Sequence, residues 1–160
     1  MFDKPSIFGA KYLFIVIGVM ALVYFFGQPR SMQKRIVIFA AVTLPLIYIV
    51  SKIGGLLYDD PRPFVVGHFV PLIPHEPDNG FPSDHVLLGA GLAAVIYPSS
   101  KRLSLMLWVL TLLVGMSRVQ VGLHRPIDII GSIGMAIVVA AIVYRLIMGS
   151  FLKFVSNWRH

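Results

Sequence analysis

A chain of 160 residues that is 57% apolar and only 13% charged stands apart from soluble domains, which spend about a quarter of their positions on charge. Such a composition belongs to a membrane, and the length supports a single compact unit over residues 1–160, without room for a soluble catalytic domain beside an anchor. The absence of cysteine excludes disulfide frameworks, thiolate zinc sites and cysteine nucleophiles.

Crossing about 30 Å of hydrocarbon takes about 20 helical residues. The run from Ile7 to Phe26 meets that length, with Lys11 placed to snorkel near one end. No small-x-small cleavage site follows it, so a retained helix is expected instead of a removed signal. A second run covers Ile36 to Leu57 and a last one Ile127 to Ile147, each with an ionisable residue near one end, Lys52 and Asp128. Between them, Val86 to Tyr97 and Leu103 to Met116 flank the turn Pro98 to Arg102 and read as a helical hairpin of two short helices. The fold class expected is therefore all-α, a polytopic bundle of about five spans.

Five spans place loop 27–35, turn 98–102 and the C-terminal tail on one side. Eight basic residues lie at or near that side: Arg30, Lys34, Arg35, Lys101, Arg102, Arg145, Lys153 and Arg159. All seven acids, Asp3, Asp59, Asp60, Glu76, Asp78, Asp84 and Asp128, fall on the other. The positive-inside rule then puts the acid-bearing face outside the cytoplasm, the N-terminus out and the C-terminus in. On this reading the net charge of +7 is topological, and nucleic acid is not an expected partner.

The ionisable residues near helix ends, Lys52, Arg62, His85, Arg118, His124 and Asp128, all arrive at the external side. A charge near the bilayer centre costs on the order of 3 kcal/mol, so such a gathering marks a functional site. In Pro82-Ser83-Asp84-His85, Ser83 is the expected N-cap of an apolar helix, and a hydroxyl-capped helix N-terminus beside Lys52, Arg62 and Arg118 suits an anion, with phosphate the obvious candidate. His124 and Asp128 are four apart and share a face if both are helical, so the carboxylate can fix one imidazole nitrogen and leave the other as a nucleophile. If the helix begins only at Pro126, that contact has to come from the geometry of the approach turn.

Together these residues resemble the three-part signature of the type 2 phosphatidic-acid phosphatase superfamily, which includes vanadium-dependent haloperoxidases. The resemblance covers residues 52–128. SRVQVGLHRPID, from Ser117 to Asp128, matches the third part without a gap. PSDH, from Pro82 to His85, matches the second with Asp84 in place of glycine, a variant similar to that of bacterial undecaprenyl-diphosphate phosphatases. In the first part nine residues separate Lys52 from Arg62, instead of the family's usual six, so either the loop bulges by about a turn or Lys52 falls short of the phosphate.

The resemblance implies a phosphatase without metal or other cofactor. His124 would be its nucleophile, Asp128 would orient it and His85 would be the general acid, while Arg62, Arg118, Ser83 and Lys52 would hold the phosphoryl oxygens. The implied partner is a lipid phosphate in a bacterial cytoplasmic membrane. Residues 75–81 and Arg62 to Phe64 look like the undecaprenyl-diphosphate branch, which implies recycling of the cell-wall carrier lipid. Phosphatidylglycerophosphate or phosphatidic acid hydrolysis, phosphoryl transfer to another acceptor, and, outside enzymes, a small anion transporter are the competing readings.

The remaining polar residues carry lesser expectations. His68 and His75 are candidates for a second phosphate, though a solvated role is the commoner one for loop histidines. Asp59 and Asp60 either pair with cations or keep a loop soluble, and Arg125 is expected at the membrane interface. Gly89, Gly91, Gly131 and Gly134 are expected to permit close helix packing.

Overall fold

The structure is a computed structural model and describes residues 3–157, with side chains over residues 4–147. Of the charges used to assign the two faces, Arg159 and the side chains of Asp3 and Lys153 lie outside the described residues.

Among the described residues six helices follow one another: α1 (Asp3–Phe26), α2 (Arg30–Leu57), α3 (Pro63–Val66), α4 (Asp84–Ile96), α5 (Lys101–Gln120) and α6 (Pro126–Asn157). Among the described residues β-pairing is confined to one isolated antiparallel bridge, Pro61 to Asn79. Helices α1, α2, α5 and α6 are each long and apolar enough to cross a membrane, the last over Pro126–Ile147. Their outward faces carry exposed large apolar side chains, such as Val23, Leu105 and Ile130, as lipid-facing helices do. The chain is a multi-pass membrane protein.

Helix α4 has 13 residues, about 20 Å of helix, and is apolar around its whole circumference. A helix of that character has to be enclosed, and α4 touches all four long helices. Val86, Ala90 and Ala93 are fully buried there, against a core that includes Ile17, Leu107 and Val114. Gly89 makes the closest approaches possible, since a Cβ there would meet Thr111 of α5 and lie 3.2 Å from Ile17 Cδ1 of α1. At Gly131 a Cβ would collide with the Phe81 ring. Gly134 departs from expectation: a Cβ there meets nothing within 4 Å, so close packing does not explain it.

The hairpin turns as its sequence suggests, with the Ser100 hydroxyl capping α5 by accepting from Leu103 N at 3.3 Å. Helix α5, however, is longer than its apolar run. It continues through Ser117, Arg118 and Gln120 to a full 20 residues, because Arg118 turns inward and the helix need not stop at a polar residue. Val86 packs level with Gly115, so α5 runs about three residues beyond the start of α4 at Asp84, about 5 Å. The N-terminus of α4 therefore starts below the end of α5, at the floor of a depression.

Candidate active site

That depression is a cavity of about 520 Å³ whose wall includes Lys52, Arg62, His85, Arg118 and His124. These five side chains reach it from the end of α2, the loop after it, the start of α4, the last turn of α5 and the turn before α6. Ser83 and Asp128 are fully enclosed just behind the wall.

His124 lies outside any helix, since α6 begins at Pro126, and its approach to Asp128 comes from the turn. Gly122 adopts φ +80°, the left-handed conformation glycine favours, and bends the chain after α5. Arg125 N then donates to Asp128 Oδ2 at 2.8 Å, and His124 Nδ1 lies 3.1 Å from the same oxygen. A carboxylate can only accept, so Nδ1 carries the proton. Arg62 Nη1, 3.4 Å from His124 Nε2, can only donate, so Nε2 presents a lone pair. Burial, with the Arg118 and Arg62 charges, holds the imidazole below the ordinary histidine value despite the bond to Asp128. On this geometry the His124 ring is neutral, with its proton on Nδ1 and a lone pair on Nε2.

Arg62 is buried, and each of its contacts fixes the fork. Nε donates to Asp78 Oδ1 at 2.6 Å, and Nη1 donates to Leu123 O at 3.0 Å. Burial pushes the Asp78 carboxyl up, but the Arg62 hydrogen bond and charge outweigh it and hold the group below the usual carboxylate range. Arg118 is also buried. It reaches Ala10 O with Nη1 at 3.4 Å, while its Nε has no partner among the described residues. Donors without partners in a buried site are available to an incoming anion. His85 is held edge-on by Phe14 of α1, ring centroids 4.5 Å apart.

Ser83 sits at the N-cap with extended backbone, but its hydroxyl makes no cap bond and has no partner among the described residues. The capping expectation is corrected by Ser132. Its Oγ accepts from Ser83 N at 2.9 Å and shares its own proton between Asp128 O at 2.7 Å and Ser83 O at 3.1 Å. Because Ser132 fixes the backbone of Ser83, the Ser83 hydroxyl is left uncommitted. Lys52 lines the cavity with its Nζ 5.0 Å from the Tyr48 ring centroid. The nine-residue spacing is taken up by the last turn of α2 and the extended segment 58–62.

His75 reaches the cavity wall and lies 3.8 Å from Asp78, whereas His68, at φ 51° in the α3 turn, does not line it. Arg125 pairs with buried Asp60 at 2.7 Å and gives Asp60 its cation, while its own side chain stays 41% exposed. Asp78, Asn79 and Ser132 escaped the sequence reading. Asn79 ties the loop to the end of α2, donating to Gly55 O at 2.8 Å and accepting from Asp60 N at 3.0 Å. Its Asp-Asn-Gly context is a turn signal, the one available hint.

The profile of the PAP2 superfamily matches residues 35–151. The chain belongs to that superfamily. Among PAP2 relatives, the undecaprenyl-diphosphatase BcrC of Bacillus subtilis is 30% identical over 144 residues, covering 89% of this chain and 74% of that protein. The bacitracin transport permease protein BcrC of Bacillus licheniformis is 31% identical over 130 residues, 81% of this chain and 64% of that one. This chain is thus matched to between 64% and 74% of the length of those two relatives. The crystal structure of a transmembrane PAP2-type phosphatidylglycerolphosphate phosphatase from Bacillus subtilis shares the fold, with TM-score 0.53 at 20% identity over 92% of this chain and 84% of that one.

Proposed function

We propose that the chain is an integral-membrane phosphatase that removes the terminal phosphate of a polyprenyl diphosphate of the undecaprenyl class, leaving the monophosphate. The observation that carries this reading is the His124 imidazole, tied to Asp128 through Nδ1 and directing an unprotonated Nε2 at the cationic cavity. Similarity to an undecaprenyl-diphosphatase over most of the chain supports the substrate class.

In the first displacement the Nε2 lone pair attacks the terminal phosphorus. The bond from phosphorus to the bridging oxygen breaks, and His85 donates a proton to the departing monophosphate. In the second, His85 takes a proton from water, the oxygen attacks the phosphorus, and the P–N bond breaks to restore neutral His124. Arg62, Arg118 and Lys52 neutralise charge on the phosphoryl oxygens, the part metal ions take in other phosphoryl-transfer sites, and the Ser83 hydroxyl donates a hydrogen bond to them.

Purified protein in detergent with excess chelator should release inorganic phosphate from undecaprenyl diphosphate faster than from phosphatidic acid or phosphatidylglycerophosphate. Loss of turnover in chelator would overturn the metal-free route, and transport without phosphate release would favour a permease. Phosphate carried to a lipid acceptor without free phosphate would favour a transferase.

The cavity faces the exterior of a bacterial cytoplasmic membrane in this proposal, N-terminus out and C-terminus in, following the basic bias of loop 27–35 and turn 98–102. The chain has no cysteine, so a single one introduced at Leu72 should react with a membrane-impermeant maleimide in intact cells. Labelling only after permeabilisation would invert the topology.

A further inference from the structure

Behind the His124 and Asp128 pair stands a second buried carboxylate, Asp60, 3% exposed, on the extended segment after α2. Its backbone is held on both sides: its N–H donates to Asn79 Oδ1 at 3.0 Å, and its carbonyl accepts from Gly80 N at 2.9 Å. Arg125 joins the two carboxylates, its guanidinium 2.7 Å from Asp60 Oδ1 and its backbone N–H donating to Asp128 Oδ2 at 2.8 Å. The other oxygens, Asp60 Oδ2 and Asp128 Oδ1, are both buried without partners among the described residues.

Gly80 closes the arrangement. A Cβ there would stand 3.0 Å from Asp60 O and 3.3 Å from Asp128 Oδ2, so the loop lies directly on the carboxylate that orients His124. Burial first, then the Asp128 charge, pushes the Asp60 carboxyl up, as expected of two acids enclosed together. For stability alone this is poor design. Two buried carboxylates share one guanidinium, leaving one negative charge uncompensated while His124 is neutral. When His124 takes up a phosphoryl group, its ring becomes cationic and the group of four becomes neutral.

We propose that Asp60, clasped by Arg125, Asn79 and Gly80, is a positioning residue for the nucleophile: it holds Asp128 in place and supplies a second negative charge behind the imidazole. The assignment rests on His124 as nucleophile, but its electrostatic content can be measured without turnover. The charged groups facing this cluster are Asp128 from α6, Arg125 from the preceding turn, Asp59 beside Asp60, and Arg62 and Arg118 beyond the His124 ring.

The test is a histidine nitrogen NMR titration of the full chain in detergent, with the His124 resonance assigned by its loss in His124→Ala. In Asp60→Asn the His124 midpoint should fall by about half a pH unit or more, because a charge favouring the protonated ring is gone. In Arg125→Gln, which retains the backbone N–H to Asp128, it should rise. In parallel assays Asp60→Asn should lower kcat about 10- to 100-fold with KM nearly unchanged. A His124 midpoint that stays put in both variants would overturn the proposal even if activity fell, since a merely structural clasp lowers melting temperature without moving the titration. If Asp60→Asn does not fold, the Arg125→Gln shift decides alone. Absence of phosphatase activity in the unaltered chain would instead count against the proposed function, leaving the titration to judge this inference.

Discussion

Replacing His124 with alanine should reduce kcat by at least about 10⁴-fold, the scale on which an enzyme loses its covalent nucleophile. The groups nearest the ring offer no replacement. Arg62 and Arg118 have no lone pair to offer, and Asp128 is 1% exposed behind the ring and absent from the cavity wall. Of the other imidazoles at the cavity, His85 belongs to a different element and is held edge-on by Phe14, and His75 lies on the loop 3.8 Å from Asp78. Fold should survive, because the helical core around Ile17, Val86, Leu107 and Val114 makes no use of the His124 ring. Rapid quenching after addition of labelled undecaprenyl diphosphate should trap an acid-labile, alkali-stable phosphoenzyme in the unaltered chain and none in the variant. Full activity in a folded His124→Ala protein would dismiss the proposed nucleophile.

Asp128→Asn probes charge separately from position. An asparagine oxygen in place of Oδ2 can still accept from both His124 Nδ1 and Arg125 N, so the ring need not turn. What disappears is the negative charge facing a ring that becomes cationic in the first displacement. Removal of a preorganised charge from an enclosed site costs roughly 10²- to 10⁴-fold in rate, and the loss should appear in kcat with KM within a few-fold. Steady-state kinetics with substrate in mixed micelles would show it. A variant that loses only affinity would mean that Asp128 helps to build the pocket and leaves the chemistry to others.

The membrane-spanning helices were legible because hydrocarbon imposes a length and an apolar composition that any reader of the chain can measure. Arg118 shows where that reading fails. Hydropathy treats it as the end of a span, but a helix continues wherever its backbone is satisfied, and Arg118 turns into the bundle instead of ending it. The His124 and Asp128 pair was visible as a spacing, while its geometry depended on a glycine turn that the spacing does not encode. The loop partners were not legible at all. Arg125 meets Asp60, and Arg62 meets Asp78, across 65 and 16 positions of non-periodic sequence, where no helical or strand repeat connects one residue to the other. The four-residue helix α3 is too short to leave a pattern.

The recessed start of α4, about 5 Å below the end of α5, bears on the energetics of substrate capture in the proposed reaction. Lifting a long isoprenoid out of its leaflet would forfeit about 0.8 kcal/mol for every methylene-sized unit brought into water, tens of kcal/mol for a chain of that size. In the proposed orientation, a well recessed into the leaflet lets water descend to the bond that is cut. The hydrocarbon can stay dissolved where it is, and only the small, already hydrated anion has to travel.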